Sequence, residues 1–301
     1  MEFTVQQSDF ARELKFAERV AEKRSTVPVL ANVLLVARGD RVYLTATDLE
    51  LGIQCSCPAN VSSEGAATVP LRRLLDYVRL LPGGEVKVKF GENARASVTC
   101  GRSGARIAGL AAESYPELPK MPDASTDLRV DALSSMIAKT AFAISATESR
   151  FTLNGALFQI KDGSTSMIAT DGHRLALTET VEPPPANGEG APNRTPCRAV
   201  VPRKAIRELL NLMTEGDGGK TVAFAEDENH LFFRFGLRLL ITRKLAGTFP
   251  DCERVLSADH NLAVIVEREA LRSAIERVAQ FADERSHSVR VPAFFSVPRR
   301  S

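Results

Sequence analysis

Hydrophobic positions along this chain switch between two rhythms. Phe3 and Val5 alternate with polar neighbours at the period of a strand, and Phe10, Leu14, Ala17 and Ala21 then recur at helical spacing. The same switch occurs in LRVDALSSMIAKTAFAIS from Leu128 and in AVIVEREALRSAIERVAQF from Ala263, so a short strand feeding an amphipathic helix is expected three times. Aligning Val5, Val130 and Val266 gives steps of 125 and 136 residues.

The features that follow also repeat. An apolar strand with Asn, a turn and a strand ending in Ala-Thr-Asp read NVLLVARGDRVYLTATDLEL from Asn32 and NGALFQIKDGSTSMIATDGHRL from Asn154. A Val-Pro pair then opens a second helix, at Val69-Pro70 and Val201-Pro202, where Pro is expected at the first helical position because its missing N–H is not needed there. Short alternating strands follow, EVKVKF with ASVTC and TVAFA with LFFRFGLRLLIT, and each copy closes on Tyr115-Pro116 or Phe249-Pro250. Five features in one order at nearly constant offset identify a duplicated unit of two helices and roughly eight strands. The fold class is therefore α+β, with helices on antiparallel sheets. Two complete copies (1–124 and 125–255) and a partial third (256–301) are expected. The Pro- and Gly-dense stretch 182–197 reads as a surface loop.

Composition narrows the class. The chain of 301 residues is 44% hydrophobic and 25% charged, enough to bury real cores. No stretch approaches the roughly 18–20 apolar residues of a membrane span, and MEFTVQQSDF lacks the marks of a signal peptide, so cytoplasmic residence is expected. Five scattered cysteines suggest neither a disulfide framework nor a zinc ribbon, and Ile53, Cys55 and Cys57 alternate as the inward face of a strand does. No metal or other cofactor is implied.

A net charge of +2 says little by itself; its placement says more. Arg12, Lys15, Arg19 and Lys23 share the face of the first helix opposite its apolar stripe, with Glu13, Glu18 and Glu22 at other angles. On the second helices Arg72 and Arg79 oppose Leu71, Leu74, Leu75 and Val78, while Arg203, Lys204 and Arg207 oppose Ile206, Leu209, Leu210 and Met213. Such faces suit phosphate contacts that are blind to base sequence; a merely solvated face is the competing reading.

The segment most suggestive of chemistry is ATDGHRLAL, Ala169 to Leu177, with Asp171 and His173 two apart beside Arg174. No nucleophile elbow, HExxH or Walker loop accompanies it. The first copy reads ATDLELGI at the same place, so Ala-Thr-Asp is a shared turn and Gly-His-Arg-Leu is special to the second copy. A structural turn, a peptide-binding role and catalysis stay open at this point, with catalysis the weakest.

The residues resemble the bacterial DNA polymerase III beta subunit family, the beta sliding clamps. The resemblance rests on RSTVPVLANVLL from Arg24, TATDLEL from Thr45, TVPLRRLLDYVRLLP from Thr68, LNGALF from Leu153, ATDGHRLA from Ala169, VPRKAI from Val201 and FPDCERV from Phe249. It implies repeated DNA-clamp domains, three per chain, with two chains closing a homodimeric ring around duplex DNA, helices lining the hole and sheets outside. It implies a non-catalytic processivity factor that tethers the DNA polymerase III catalytic subunit, the clamp loader and other polymerases and repair proteins carrying a clamp-binding motif. DNA contact is implied for Arg24, Arg72, Arg73, Arg150, Phe151 and Lys204, although Phe151-Thr152 stands where a family relative has paired aromatics. The partner-peptide pocket is implied at Leu153, Thr170, Gly172, His173, Arg174, Leu175, Pro250, Arg254 and Val255. After Val291 the chain departs from the family pattern with PAFFSVPRRS, so a third domain cut short is expected. A fragment or partner-binding variant of the same fold, unable to encircle DNA, is the alternative.

Overall fold

The computed structural model describes residues 1–21, 27–91, 94–123, 126–147, 151–161, 163–181, 196–215, 219–252, 264–282 and 288–291. Two compact units result, Met1–Phe249 and Pro250–Ser301.

In the first unit the alternation of Phe3 and Val5 becomes β1 (Glu2–Gln6), with both side chains buried, and the helical stripe becomes α1 (Gln7–Glu18), burying Phe10, Leu14 and Ala17. There follow β2 (Asn32–Arg38), β3 (Arg41–Thr47), β4 (Leu51–Pro58), β5 (Asn60–Ser63), β6 (Gly65–Pro70), α2 (Leu71–Leu80), β7 (Glu85–Phe90), β8 (Arg95–Cys100) and β9 (Ser103–Ala108). The series then repeats as β10 (Thr126–Arg129), α3 (Val130–Thr140), β11 (Gly155–Lys161), β12 (Ser164–Thr170), β13 (Leu175–Val181), β14 (Cys197–Pro202), α4 (Arg203–Glu215), β15 (Thr221–Glu226), β16 (His230–Phe235) and β17 (Arg238–Arg243). Pro70 and Pro202 stand one residue before the positions expected. Each ends a strand ladder, opposite Asn32 and Gly155 respectively, and the helix begins at the next residue.

Three antiparallel sheets form, ordered β5-β1-β7-β8-β9, β10-β15-β16-β17-β4-β3-β2-β6 and β13-β12-β11-β14. The middle sheet is shared. Strand β17 of the second repeat pairs with β4 of the first in the register Leu239↔Gln54, Leu240↔Ile53, Ile241↔Gly52 and Thr242↔Leu51. The connector between the repeats crosses the outer face of that seam. Leu118 and Met121 pack on Ala225, Phe232 and Ile241, and a Cβ on Gly52 would stand 2.9 Å from Leu118 Cδ1, so Leu118 sits directly over Gly52. The inner faces of the sheets bury one continuous core that includes Phe3, Phe10, Phe158, Phe224 and Phe233. Cys55 and Cys57 lie in it, as the alternation of β4 predicts, and burial pushes the Cys57 thiol up to about 12.

In the unit from Pro250, α5 (Arg268–Ala279) is capped at its N-terminus by Glu267, whose carboxylate accepts from the backbone N–H groups of Glu269 and Ala270. The strand expected ahead of this helix is not formed at residues 264–267. The corresponding β1 and β10 are held by neighbours β7 and β15, and the described residues supply 264–267 with no such partner. The loop expected at 182–197 lies outside the described residues up to 195.

Candidate nucleic-acid and partner-binding surfaces

Within Met1–Phe249 the four helices form one layer. Helix α1 packs on α2 and α3 on α4, and ion pairs join α1 to α4 across the repeats. The outward side of this layer is basic because the inward positions are apolar: Arg72, Arg73 and Arg79 on α2, Arg203, Lys204 and Arg207 on α4, and Arg12 and Lys15 on α1 are exposed. Several are engaged. Arg12 bridges Asp9 at 3.2 Å and Glu13 at 3.1 Å, Arg72 lies 3.6 Å from Glu18, and Arg207 lies 3.1 Å from Glu208. Arg73 and Arg203 have no ion-pair partner among the described residues.

Two basic positions picked out from sequence serve the joint between repeats as well. Arg19, read as part of the outward stripe, is largely buried; its Nη2 donates to Glu215 Oε1 at 2.6 Å and its Nη1 lies 3.7 Å from Glu208. Lys204 Nζ donates to Asp48 Oδ2 of the first repeat while its side chain stays 43% exposed, so it can still face a ligand. Glu13 is buried instead of lying beside the stripe. Arg238 of β17 grips it in two hydrogen bonds, Nε to Oε2 at 3.0 Å and Nη2 to Oε1 at 2.8 Å, while the guanidinium stacks 4.7 Å from the centre of the Phe16 ring. The helical spacing of α1 could not show this. It places Glu13 beside Phe10, Phe16 and Ala17 on the buried side, but the partner that makes burial tolerable comes from 225 residues away.

The Ala-Thr-Asp turn is built twice to one plan. In the first repeat Asp48 Oδ1 accepts from the N–H groups of Glu50 (3.0 Å) and Leu51 (2.7 Å), and Thr47 Oγ1 donates to Leu51 O (2.9 Å) and accepts from Leu49 N (2.9 Å). In the second, Asp171 Oδ1 accepts from His173 N (2.9 Å) and Arg174 N (3.1 Å), and Thr170 Oγ1 donates to Arg174 O (2.7 Å) and accepts from Gly172 N (3.1 Å). The third turn residue is left-handed in both, φ 75° at Leu49 and 87° at Gly172. Those N–H bonds, first from His173 and then from Arg174, hold the Asp171 carboxyl below its ordinary range. Its Oδ2 accepts from Arg174 Nε at 3.0 Å. Asp171 thus serves as the brace of a turn.

Gly172, His173 and Arg174 are exposed around this brace, with Thr170 buried beneath and Leu153 and Leu175 half-buried. One neighbour escaped the sequence reading. Phe142, 59% exposed in the short turn after α3, lies under Arg174 with 5.8 Å from guanidinium carbon to ring centre. Its signal was faint: an aromatic just past a helix end reads as ordinary core. Phe142 also borders a cavity of about 620 Å³ between α3 and α4, floored by Ile137, Ile144, Ile206 and Leu210 and rimmed by Arg203, Lys204 and Arg207. Phe151 is exposed in the short helical turn Phe151–Leu153, and Pro250 is exposed. Arg24, Arg150, Arg254 and Val255 lie outside the described residues.

Comparison with known proteins assigns this architecture. The profile of the DNA polymerase III beta subunit N-terminal domain matches residues 1–119, and that of its central domain matches residues 127–251. The chain belongs to the DNA polymerase III beta subunit family. The beta sliding clamp of Caulobacter vibrioides is 34% identical over 299 residues, covering 97% of this chain and 78% of the relative. That of Chlamydia muridarum is 31% identical over 293 residues, covering 96% and 77%. Among solved structures of the family, the Pseudomonas aeruginosa sliding clamp bound to griselimycin superposes with a TM-score of 0.86 at 32% identity, covering 95% of this chain and 76% of that one. The fold, clamp-type repeats of helices on antiparallel sheets, is that of the family.

Proposed function

We propose that this chain is a processivity clamp that encircles duplex DNA without reading its sequence and tethers DNA polymerase III and other partners to it. The observation that carries the reading is the single helix layer: cations of both repeats stand on one side of it, and sheets close the other. Arg72, Arg73 and Lys204, together with Arg203 and Arg207, would meet phosphates, and Phe151 would lie beside the strand. Arg24 and Arg150 enter on the family resemblance alone. Contacts of this kind hold a ring loosely enough to slide, while topology prevents its loss.

The exposed turn at Gly172, His173 and Arg174, with Thr170, Leu153 and Leu175, would take a short clamp-binding peptide of the polymerase catalytic subunit, the clamp loader or a repair polymerase; Pro250, Arg254 and Val255 are its remaining wall on the family pattern. Binding here raises the partner's effective concentration at the primer end. A hydrolytic role for Asp171 and His173 is disfavoured because the Asp171 oxygens are committed to the turn and Arg174.

Retention on circles tests the ring. The protein is loaded by a clamp loader onto nicked plasmid, the salt is raised, and the plasmid is then cut. Salt-resistant retention that disappears on linearisation is expected. Failure to stay on intact circles, with an intact clamp as control, refutes encirclement and favours the partner-binding alternative. Salt titration of loose DNA binding by Arg73→Ala and Arg203→Ala should each flatten the log–log slope by about 1.

A further inference from the structure

The cavity between α3 and α4 has two unlike ends. Its floor is aliphatic: Ile137, Ile144, Ile206 and Leu210, with Ala141 beside them, bound a space of about 620 Å³, within the range of small-molecule sites. Its rim carries the cations Arg203, Lys204 and Arg207, and one neutral amide, Asn154, also lines it. Lys204 and Arg207 are engaged by Asp48 and Glu208, whereas Arg203 has no ion-pair partner among the described residues.

Asn154 is the polar group without an obvious task. In the first repeat the corresponding Asn32 is buried, and its Nδ2 donates at 2.9 Å to the hydroxyl of Thr68, two residues before the Pro that ends β6. Two residues before Pro202 stands Val200, which has no hydroxyl to accept. The Asn154 side chain makes no hydrogen bond to any described residue, and it stays half-buried at the cavity. A spare amide and an unpaired guanidinium at the mouth of an aliphatic pocket suit an anion with an apolar tail. A nucleobase suits it less, because its polar edge would lose water and meet only Ile and Leu side chains on the floor.

We propose that this cavity binds a medium-chain aliphatic carboxylate of roughly eight to twelve carbons, its chain lying on Ile137, Ile144, Ile206 and Leu210 and its carboxylate accepting from Arg203 and the Asn154 amide. The site is separate from the exposed turn at Gly172, His173 and Arg174, none of which lines it. An occupant covers Arg203 and so also weakens loose DNA binding; that consequence, unlike the binding itself, rests on the clamp function proposed above.

Titration calorimetry of the full chain with octanoate tests it, and methyl NMR of the isoleucine-labelled chain gives a second readout that needs no variant. Saturable binding by about 5 mM is expected, with methyl shifts concentrated at Ile137, Ile144 and Ile206. Hexanoate, shorter by two CH2 groups, should bind about ten-fold more weakly. Octanol, which lacks the charge, should bind about five-fold more weakly, as should octanoate to Arg203→Ala. Ala141→Leu fills the cavity with side-chain carbon and should abolish binding. Absence of saturable binding, methyl shifts confined to other residues, or equal affinity for octanol and octanoate overturns the proposal, as does undiminished binding by a folded Ala141→Leu variant. Octanoate binding at these isoleucines with unchanged affinity for loose DNA supports the site and counts only against DNA contact at Arg203.

Discussion

The turn at Asp48 and the turn at Asp171 share the same bonds from backbone N–H groups to Asp and Thr oxygens, yet face different surroundings. Around the first, Lys204 takes the Asp48 carboxylate, Arg243 N donates to Glu50 O at 2.9 Å, and β17 runs alongside, so the turn is a piece of masonry between repeats. Around the second no described strand runs alongside, and His173 and Arg174 stand out over Phe142. The difference teaches that the bend and its surroundings are set separately. The Thr and Asp of each copy build the bend, and the neighbours that pack beside it decide whether it is covered, as at Asp48, or exposed, as at Asp171.

The comparison can be broken most severely at the joint. Glu13→Ala leaves Arg238 buried without its carboxylate and should cost about 3–5 kcal/mol in urea unfolding, whereas replacing both by apolar residues of similar size should cost far less. Smaller, and opposite in sign between the copies, is an exchange at the left-handed position. Gly172→Leu should destabilise by about 1–2 kcal/mol, while Leu49→Gly should stabilise by up to about 1 kcal/mol, the relief of a strained backbone less the entropy of glycine. Equal signs in the two melts would show that the turns are not equivalent.

Removing the brace is a finer probe. Asp48→Ala and Asp171→Ala should each lose about 1 kcal/mol from the N–H groups they cap, and only the former should also loosen Lys204. Smallest is the pH response. The Asp171 carboxyl is depressed below its ordinary 3.8, so its contribution is complete above that value and fades as pH falls through the lower folded value. The side-chain carboxyl carbon shift of Asp171 followed by NMR should therefore stay constant from pH 7 to about 4.5 and move only below 4. A transition near pH 6 would mean that a different group governs the turn.

Much of this was legible in the chain. The duplication, the alternation of β1, β4 and β7 and the apolar stripes of α1, α2 and α4 depend on local periodicity, and local periodicity is written in order. Gly-His-Arg-Leu stood out because the first repeat supplied its own control. What could not be read depends on distant partners: Glu13 with Arg238, Arg19 with Glu215, Arg174 with Phe142. A charged residue on a helix looks the same whether it meets water or a guanidinium from the far end of the chain. The strand expected before α5 failed for a related reason, since alternation makes a strand possible and only a neighbour makes it real.

The seam between β4 and β17 also has a consequence for synthesis. Ribosomes emit chain at roughly 5–20 residues per second, and β17 follows β4 by more than 180 residues, so the β4 edge must wait on the order of 10–40 s for its mate. Throughout that interval Ile53, Cys55 and Cys57 belong to a strand that any other nascent copy could capture. The connector carrying Leu118 and Met121 emerges early in the wait, and it can settle over Gly52 before β17 exists. Its first service would then be that of a chaperone carried in cis.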